Sequence, residues 1–284
     1  TSGLTSDRNS INVDESYSFF NPKAGLTYKY NNFSSFYLSY ARANKEPNRN
    51  DFENAVNTSE KLNDFELGWR HNTTAFNINT NVYYMLYNEQ LVLSGAIDNT
   101  GAPIRTNSGA SYRLGLEVEA TIQVSKKLAV QPNITFSSNK NKQTISQIDG
   151  ELVDLGKTNI SFSPEFVAAS ALIYQPVNNL QLSFLSKYVG EQFMGNTDSE
   201  TSKLESYFVN DVNITYEIKP NTIFKSILLS ALVNNIFGEK YVSNGYYYTY
   251  DDTWSDPNQI TTIEGAGYYP QATTNFLFGA TLKF

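Results

Sequence analysis

The chain has 284 residues, 21 basic against 28 acidic side chains, a net charge of -7, no cysteine and a single histidine, His71. Without cysteine there is no disulfide framework, thiolate metal site or cysteine nucleophile, and one histidine excludes multi-histidine metal sites and leaves little room for a Ser-His-Asp enzyme. The acidic balance without a basic run argues against nucleic acid as a partner. The longest apolar run, about Ile227 to Val233 and broken by Ser230, falls far short of the roughly 20 residues a membrane-spanning helix needs.

Read in chain order, the sequence shows one dominant period, and it is two. Phe20–Tyr30 and Phe33–Ala41 alternate weakly. Asp64–Arg70 sets Phe65, Leu67 and Trp69 against Asp64, Glu66 and Arg70. Asn72–Tyr87 sets Phe76, Ile78, Val82, Tyr84 and Leu86 against Asn77, Asn79 and Asn81. The clearest segment, Ser111–Val124, keeps Tyr112, Leu114, Leu116, Val118, Ala120, Ile122 and Val124 on one parity, with Arg113, Glu117 and Glu119 on the other. Leu128–Ser138, Phe162–Tyr174 (readable in either parity) and Leu180–Val189 follow. Tyr207–Ile218 then places Asp211 opposite Val212 and Ile214, and Phe224–Phe237 and Ala272–Phe284 complete the series. Such alternation predicts strands. Fourteen residues of it exceed the five or six usual in globular proteins, whereas a tilted strand crossing a bilayer needs about 9–11 plus overhang. Pro22 and Pro132, lacking a ladder donor, are expected at bulges or strand ends.

The eleven predicted strands have connections that alternate in length. Short ones are Asn31–Asn32, about His71–Thr73, Ser125–Lys127, Gln175–Asn179 and about Lys219–Thr222. Long ones are about Arg42–Lys61, Asn88–Ala110, Asn139–Thr158, Glu191–Ser202 and Gly238–Gln271. Outer-membrane barrels have short periplasmic turns and long extracellular loops. The expected fold class is therefore all-β, a transmembrane antiparallel barrel. Because the first strand needs an upward strand before it, and because single-chain bacterial barrels have even strand numbers, the chain reads as the C-terminal part of a larger barrel. The start, TSGLTSDRNS, has no initiator Met or leader-like apolar segment and reads as a mature chain or a fragment. If the apolar parity faces lipid, Glu66, Arg113, Glu117, Glu119 and Asp211 line the lumen, since charges in lipid would cost several kcal/mol each. Tyr30, Phe33, Tyr174, Tyr188, Tyr216 and Phe284 suit the interfacial aromatic girdles.

These residues carry a resemblance. Asn234–Tyr241 (Asn-Asn-Ile-Phe-Gly-Glu-Lys-Tyr), a long loop, Tyr269–Ala272 (Tyr-Pro-x-Ala) and a last strand ending in Phe284 together resemble the end of TonB-dependent outer-membrane receptors. Ser18–Tyr30 and Phe36–Phe52 resemble mid-barrel segments of that family. The resemblance implies a 22-stranded barrel, of which this chain supplies about 11 C-terminal strands, with the plug domain absent from this chain. Residues 1–17 are then an extracellular loop remnant and 18–284 the C-terminal half of the barrel. It implies as partners the N-terminal strands and plug, from the same protein or a separate chain, the TonB–ExbB–ExbD complex, outer-membrane lipid and, as in some relatives, a surface lipoprotein. It implies energised import of a small scarce nutrient, above all a ferric siderophore. Phe276, Phe278, Leu282 and Phe284 resemble the C-terminal signal read by the barrel-assembly machinery, and equally fit a plain lipid-facing strand.

For the ligand, the sequence offers cations and aromatics in the long connections. Arg42, Lys45 and Arg49 suit anionic chelates. Tyr246, Tyr247, Tyr248, Tyr250, Trp254 and Tyr268 suit ring-bearing ligands or sugars, although loop aromatics more often pack on each other. Asp251, Asp252 and Asp256 are more often solvated loop-tip carboxylates than a Ca²⁺ site. No metal site, cofactor or catalytic residue is expected, and His71 falls in a short periplasmic turn, away from any outer haem site. Import of a glycan, peptide or vitamin is the alternative within the family. Outside it stand a passive porin, an outer-membrane enzyme and a soluble all-β binding protein.

Overall fold

The computed structural model describes residues 14–53, 56–97, 103–220, 223–256 and 258–284. In chain order the strands are β1 (Lys23–Lys29), β2 (Ser34–Lys45), β3 (Glu60–Asn72), β4 (Phe76–Asn88), β5 (Leu91–Ile97), β6 (Pro103–Asn107), β7 (Ala110–Ser125), β8 (Leu128–Ile148), β9 (Glu151–Asn159), β10 (Phe166–Val177), β11 (Leu180–Val189), β12 (Gln192–Phe193), β13 (Lys203–Leu204), β14 (Tyr207–Ile218), β15 (Ser226–Asn234), β16 (Val242–Asp252), β17 (Thr261–Pro270) and β18 (Asn275–Lys283). A one-turn helix, α1 (Arg49–Glu53), lies between β2 and β3.

Eleven of these strands form one antiparallel wall in the order β1-β2-β3-β4-β7-β8-β10-β11-β14-β15-β18. They are the eleven that the alternation predicts. Their side chains divide by parity. Leu26, Leu38, Leu67, Leu116, Leu172 and Phe278 lie exposed on one face, where a soluble protein would not leave them but a bilayer covers them. Across the register, like meets like: Leu38 faces Leu67, Val82 faces Leu116 and Ala231 faces Phe278. On the other parity Glu66 pairs with Ser39 and Asn79 with Glu119. Aromatic pairs mark both rims. Phe136–Phe166 (4.8 Å) and Phe166–Tyr188 (5.6 Å) cross three strands at the long-connection end, and Phe224–Phe284 (5.0 Å) marks the other.

On the polar parity the wall thins where tyrosines lie flat. A Cβ at Gly68 would fall inside the Tyr37 ring, and one at Gly115 inside the Tyr83 ring. Glycine at these positions lets an aromatic ring cover the neighbouring strand's backbone. Tyr37 then donates to Asn81 Oδ1 at 2.9 Å and carries the Arg70 guanidinium 4.5 Å over its ring.

Several boundaries differ from expectation. β10 starts at Phe166, because Ser163-Pro164 ends the preceding turn and Phe162 takes a left-handed φ of 51°. Pro22 closes the outer end of β1, its carbonyl accepting from Arg42 N–H. Pro132 is not at a bulge. It lies inside β8, in register with Ser170 of β10, while the β7–β8 ladder skips the Ala120 and Thr121 positions and resumes in the same register at Ile122↔Val130. The missing N–H costs rungs without shifting the strand. His71 is the penultimate residue of β3, its Nδ1 2.7 Å from Ser34 Oγ, so the short turn begins after it. The N-terminal segment expected as a loop remnant lies mostly outside the described residues.

Candidate ligand-binding outer face

The long connections are largely built from strands. β2 continues to Lys45 and β3 begins at Glu60. β8 runs 21 residues, and β9 pairs along its far half. Arg42 and Lys45, expected in a loop, are therefore strand residues, opposite Asn63 and Glu60. Arg42 shares the apolar parity of Leu38 and Tyr40, whereas Lys45 falls on the other. Arg49 opens α1 and pairs with Glu53 at 2.8 Å.

One contact that the sequence does not reveal ties the first two outer connections together. Arg105 on β6 grips Asp51 through two hydrogen bonds of 3.0 and 2.8 Å. Asp51 is 2% exposed and also accepts from Asn48 N–H. A bidentate, buried carboxylate–guanidinium pair holds geometry firmly. Its partners are 54 positions apart, so no local pattern signals it.

The third, fourth and fifth connections share a small core of Met194, Leu204 and Tyr247, with Phe162, Val242 and Ala266 against it. This core docks the β16–β17 hairpin. Tyr247 is thus buried, and its hydroxyl donates to Glu264 at 2.7 Å; Glu264 also accepts from Ser199 Oγ at 2.5 Å. Burial pushes the Tyr247 hydroxyl up. For Glu264, burial raises the carboxyl, but hydrogen bonds from Ser199, Tyr247 and Thr201 outweigh it and hold the group below the usual glutamate value. Tyr268 donates to Thr201 C=O at 3.0 Å, a second tie.

The other hairpin face carries a ladder of rings. Tyr246–Tyr248 (6.3 Å), Tyr248–Tyr250 (6.4 Å) and Tyr250–Trp254 (6.0 Å) are stacked within 18° of parallel. Tyr246 and Tyr248 lie across Gly267 and Gly265 of β17. Of the six expected aromatics, four therefore form one stripe, with Tyr246, Tyr250 and Trp254 exposed and Tyr248 half-buried between them, while Tyr247 and Tyr268 act as anchors. The loop-tip carboxylates are engaged in turns: Asp252 accepts from Trp254 and Ser255 N–H, and Asp256 from Asn258 N–H. Hydrogen bonding to Ser255 lowers the Asp252 carboxyl.

Between β8, the β5–β6 hairpin and β16 lies a cavity of about 450 Å³, lined among others by Ser108, Asn141, Thr144, Thr197, Tyr247 and Thr249. Asn141 is 1% exposed. It lies opposite Ser111 and hence on the polar parity of Arg113 and Glu117, at the end of the wall that bears the long connections. Below it Arg113 donates to Ser163 Oγ at 2.8 Å, Glu117 and Glu119 are exposed, and Glu66 accepts from Ser39 at 3.4 Å. Asp211 does more than line the wall. It accepts from Asn235 N–H at 2.7 Å. Asn235, with φ 48° and 4% exposure, bonds in turn to Glu239, Ala272 and Thr274. The Asn-Asn-Ile-Phe-Gly segment is thus a knot fastening β15 to β14 and β18.

A wall of long antiparallel strands with an apolar outside, a polar inside and a built-up outer end defines an outer-membrane β-barrel. The family described as "TonB dependent receptor-like, beta-barrel" matches residues 1–236, and the chain belongs to that family. The match stops short of most of the C-terminal pieces that carried the resemblance. A curated ferrioxamine receptor of Yersinia enterocolitica is 27% identical over 137 residues, 48% of this chain and 18% of that protein. The solved structure of the ferric-catecholate import receptor Fiu from E. coli K12 superposes with a TM-score of 0.64 at 16% identity, over 92% of this chain and 34% of that one. A copper transporter, OprC, superposes at 0.65 with 16% identity, over 91% and 39%. The chain spans about a third of these solved structures, and the likeness establishes the fold, shared by receptors for different cargoes.

Proposed function

We propose that the chain is the C-terminal half of a barrel that imports a scarce nutrient across the outer membrane with TonB-coupled energy, and that the nutrient is an iron chelate of the siderophore type. The observation that carries this is the mouth: a lumen lined by polar and charged side chains opens outward under ordered connections that enclose a ligand-sized cavity. The family and the ferrioxamine-receptor relative support the cargo class. Among the described residues the sheet has free edges at β1 and β18, which call for further strands, because unpaired backbone cannot face lipid. On this reading the partners are N-terminal strands with a plug, the TonB–ExbB–ExbD complex and, over the outer face, a surface lipoprotein.

The test is uptake of radiolabelled ferric chelates by cells with and without the receptor, with the proton-motive force intact or collapsed. Uptake that needs both the receptor and the proton-motive force supports the proposal. Uptake indifferent to uncoupling would make the barrel a passive porin.

The stacked Tyr246–Tyr248–Tyr250–Trp254 ladder favours a second reading, glycan import, since flat aromatic faces also bind sugar rings. The same cells offered labelled oligosaccharide decide between the two.

A further inference from the structure

The lipid-facing parity of β2 and β3 changes character at one step of the register. Going outward, β2 carries Leu38, Tyr40, Arg42 and Asn44, and β3 carries opposite them Leu67, Phe65, Asn63 and Lys61. The apolar pair Leu38–Leu67 and the ring pair Tyr40–Phe65, 5.0 Å apart, give way together to two cations and two amides. On β4, Asn88 stands opposite Lys61 and continues the polar edge. Rings followed by cations suit the boundary between hydrocarbon and headgroups, because the ring sits at the interface and a long cationic stem reaches past it. The long connections rise from this end of the wall, so the headgroups here are those of the outer leaflet.

Arg42 and Lys61 are diagonal neighbours across the strand pair, close enough for two long side chains to reach one anion. Neither has an ion-pair partner among the described residues. The acids of β3 are turned away. Glu60, Asp64 and Glu66 lie on the opposite parity, and Glu60 accepts from Leu91 N–H. Arg42 Nε is buried without a hydrogen-bond partner, and a buried donor left so calls for an acceptor. The flanking amides are held in place: Tyr40 donates to Asn63 Oδ1 at 2.9 Å, and Asn44 donates to Asn21 Oδ1 at 2.6 Å. By contrast Lys140, opposite Tyr112 on the same face, is neutralised by Glu165 at 2.7 Å, and Lys157 lies 5.7 Å over the Tyr112 ring.

We propose that Arg42 and Lys61 bind the phosphate of a phosphorylated glycolipid headgroup of the outer leaflet, with Asn63 and Asn88 hydrogen-bonding its sugar. A guanidinium beside an ammonium matches a phosphate, and basic side chains at the headgroup level are the usual means of holding an anionic lipid. Amides both donate and accept, which matches sugar hydroxyls. The site lies on the outside of the wall and is independent of the cargo carried through it.

The experiment is native mass spectrometry of the complete receptor in detergent, titrated with bisphosphorylated lipid A, its dephosphorylated form and phosphatidylglycerol. The bisphosphorylated lipid is expected to bind at least about tenfold more tightly than the dephosphorylated one. Arg42→Gln combined with Lys61→Gln should remove that preference. Lys45→Gln takes the same charge from the opposite parity of β2 and should bind like the parent. Excess inorganic phosphate should not displace the lipid. Equal binding of the dephosphorylated lipid would mean that the apolar face alone holds it, and overturns the proposal. So does a double variant no weaker than Lys45→Gln. Displacement by inorganic phosphate would make this a free-anion site, and equally tight phosphatidylglycerol would remove the role of the sugar; either result overturns the glycolipid assignment. Cargo uptake is read separately, so the import reading stands or falls on its own assay.

Discussion

Single side chains hold the outer end together, and their removal should be legible one at a time. Asp51 is the sharpest case. Asp51→Ala strands Arg105, itself a quarter exposed, beside a hole where a 2%-exposed carboxylate stood, and losing such a charged hydrogen-bonded pair costs about 1.5–3 kcal/mol. The cost falls on two connections and not on the wall. The expected outcome is faster protease cleavage within residues 46–59 and 89–109, with the barrel intact on an unheated gel. Asn235→Leu should be more damaging. It removes the side-chain bonds to Glu239 and Ala272 and puts a bulky residue at φ 48°. A loss of about 2–4 kcal/mol, seen as a lower midpoint of denaturant unfolding, is expected. Neither role is visible in composition. Asp51 reads as one more loop acid, and Asn235 stands out only through the family resemblance of the segment around it.

Among elements, the β16–β17 hairpin is expected to lose order in acid. Glu264 is held below its ordinary value of 4.5 by bonds that need the ionised form. Its contribution is present above that value and is lost as pH falls through the lowered one. Amide hydrogen exchange in β16 and β17 should therefore be slow at neutral pH and accelerate in acid, and Glu264→Gln should flatten that dependence. β18 makes a different prediction. If Phe276, Phe278, Leu282 and Phe284 are read during assembly as well as facing lipid, deleting Phe284 should cut the amount of barrel reaching the outer membrane severalfold while the barrels that form unfold normally. Equal amounts in the membrane would leave only the lipid-facing role. The wall strands were legible because a sheet wet on one face and lipid-covered on the other writes a period of two into the chain. The outer strands were not. β5, β6, β9, β16 and β17 stand above the bilayer, where no lipid enforces alternation. The core of Met194, Leu204 and Tyr247 that docks the hairpin joins residues too distant in sequence for any period to register. Of the expected site residues, the loop aromatics could be named from the sequence, but not that four of them stack in one stripe. The separation of Tyr247 and Tyr268 as anchors needed the register, and the cavity around Asn141 needed the fold.

At the scale of the whole molecule, the sheet of the described residues ends at β1 on one side and β18 on the other. Expressed as these 284 residues only, the chain presents two open edges and is expected to aggregate in detergent. Supplied with the remaining barrel strands, it should give one compact species that shifts mobility on heating. A monodisperse, protease-resistant 284-residue species would contradict the open-edged wall. One dimension of that wall has a separate consequence. β8 is 21 residues long, roughly 70 Å of strand, and a bilayer uses about half of it. The rest, stiffened by β9 and tied at its tip through Gln147 to Asp251 and through Asp149 to Thr262, rises clear of the lipid headgroups like a mast. It stands where large bodies such as antibodies and bacteriophage tail fibres first touch the cell. An arm exposed to them is thus joined by an unbroken strand to the polar face of the wall.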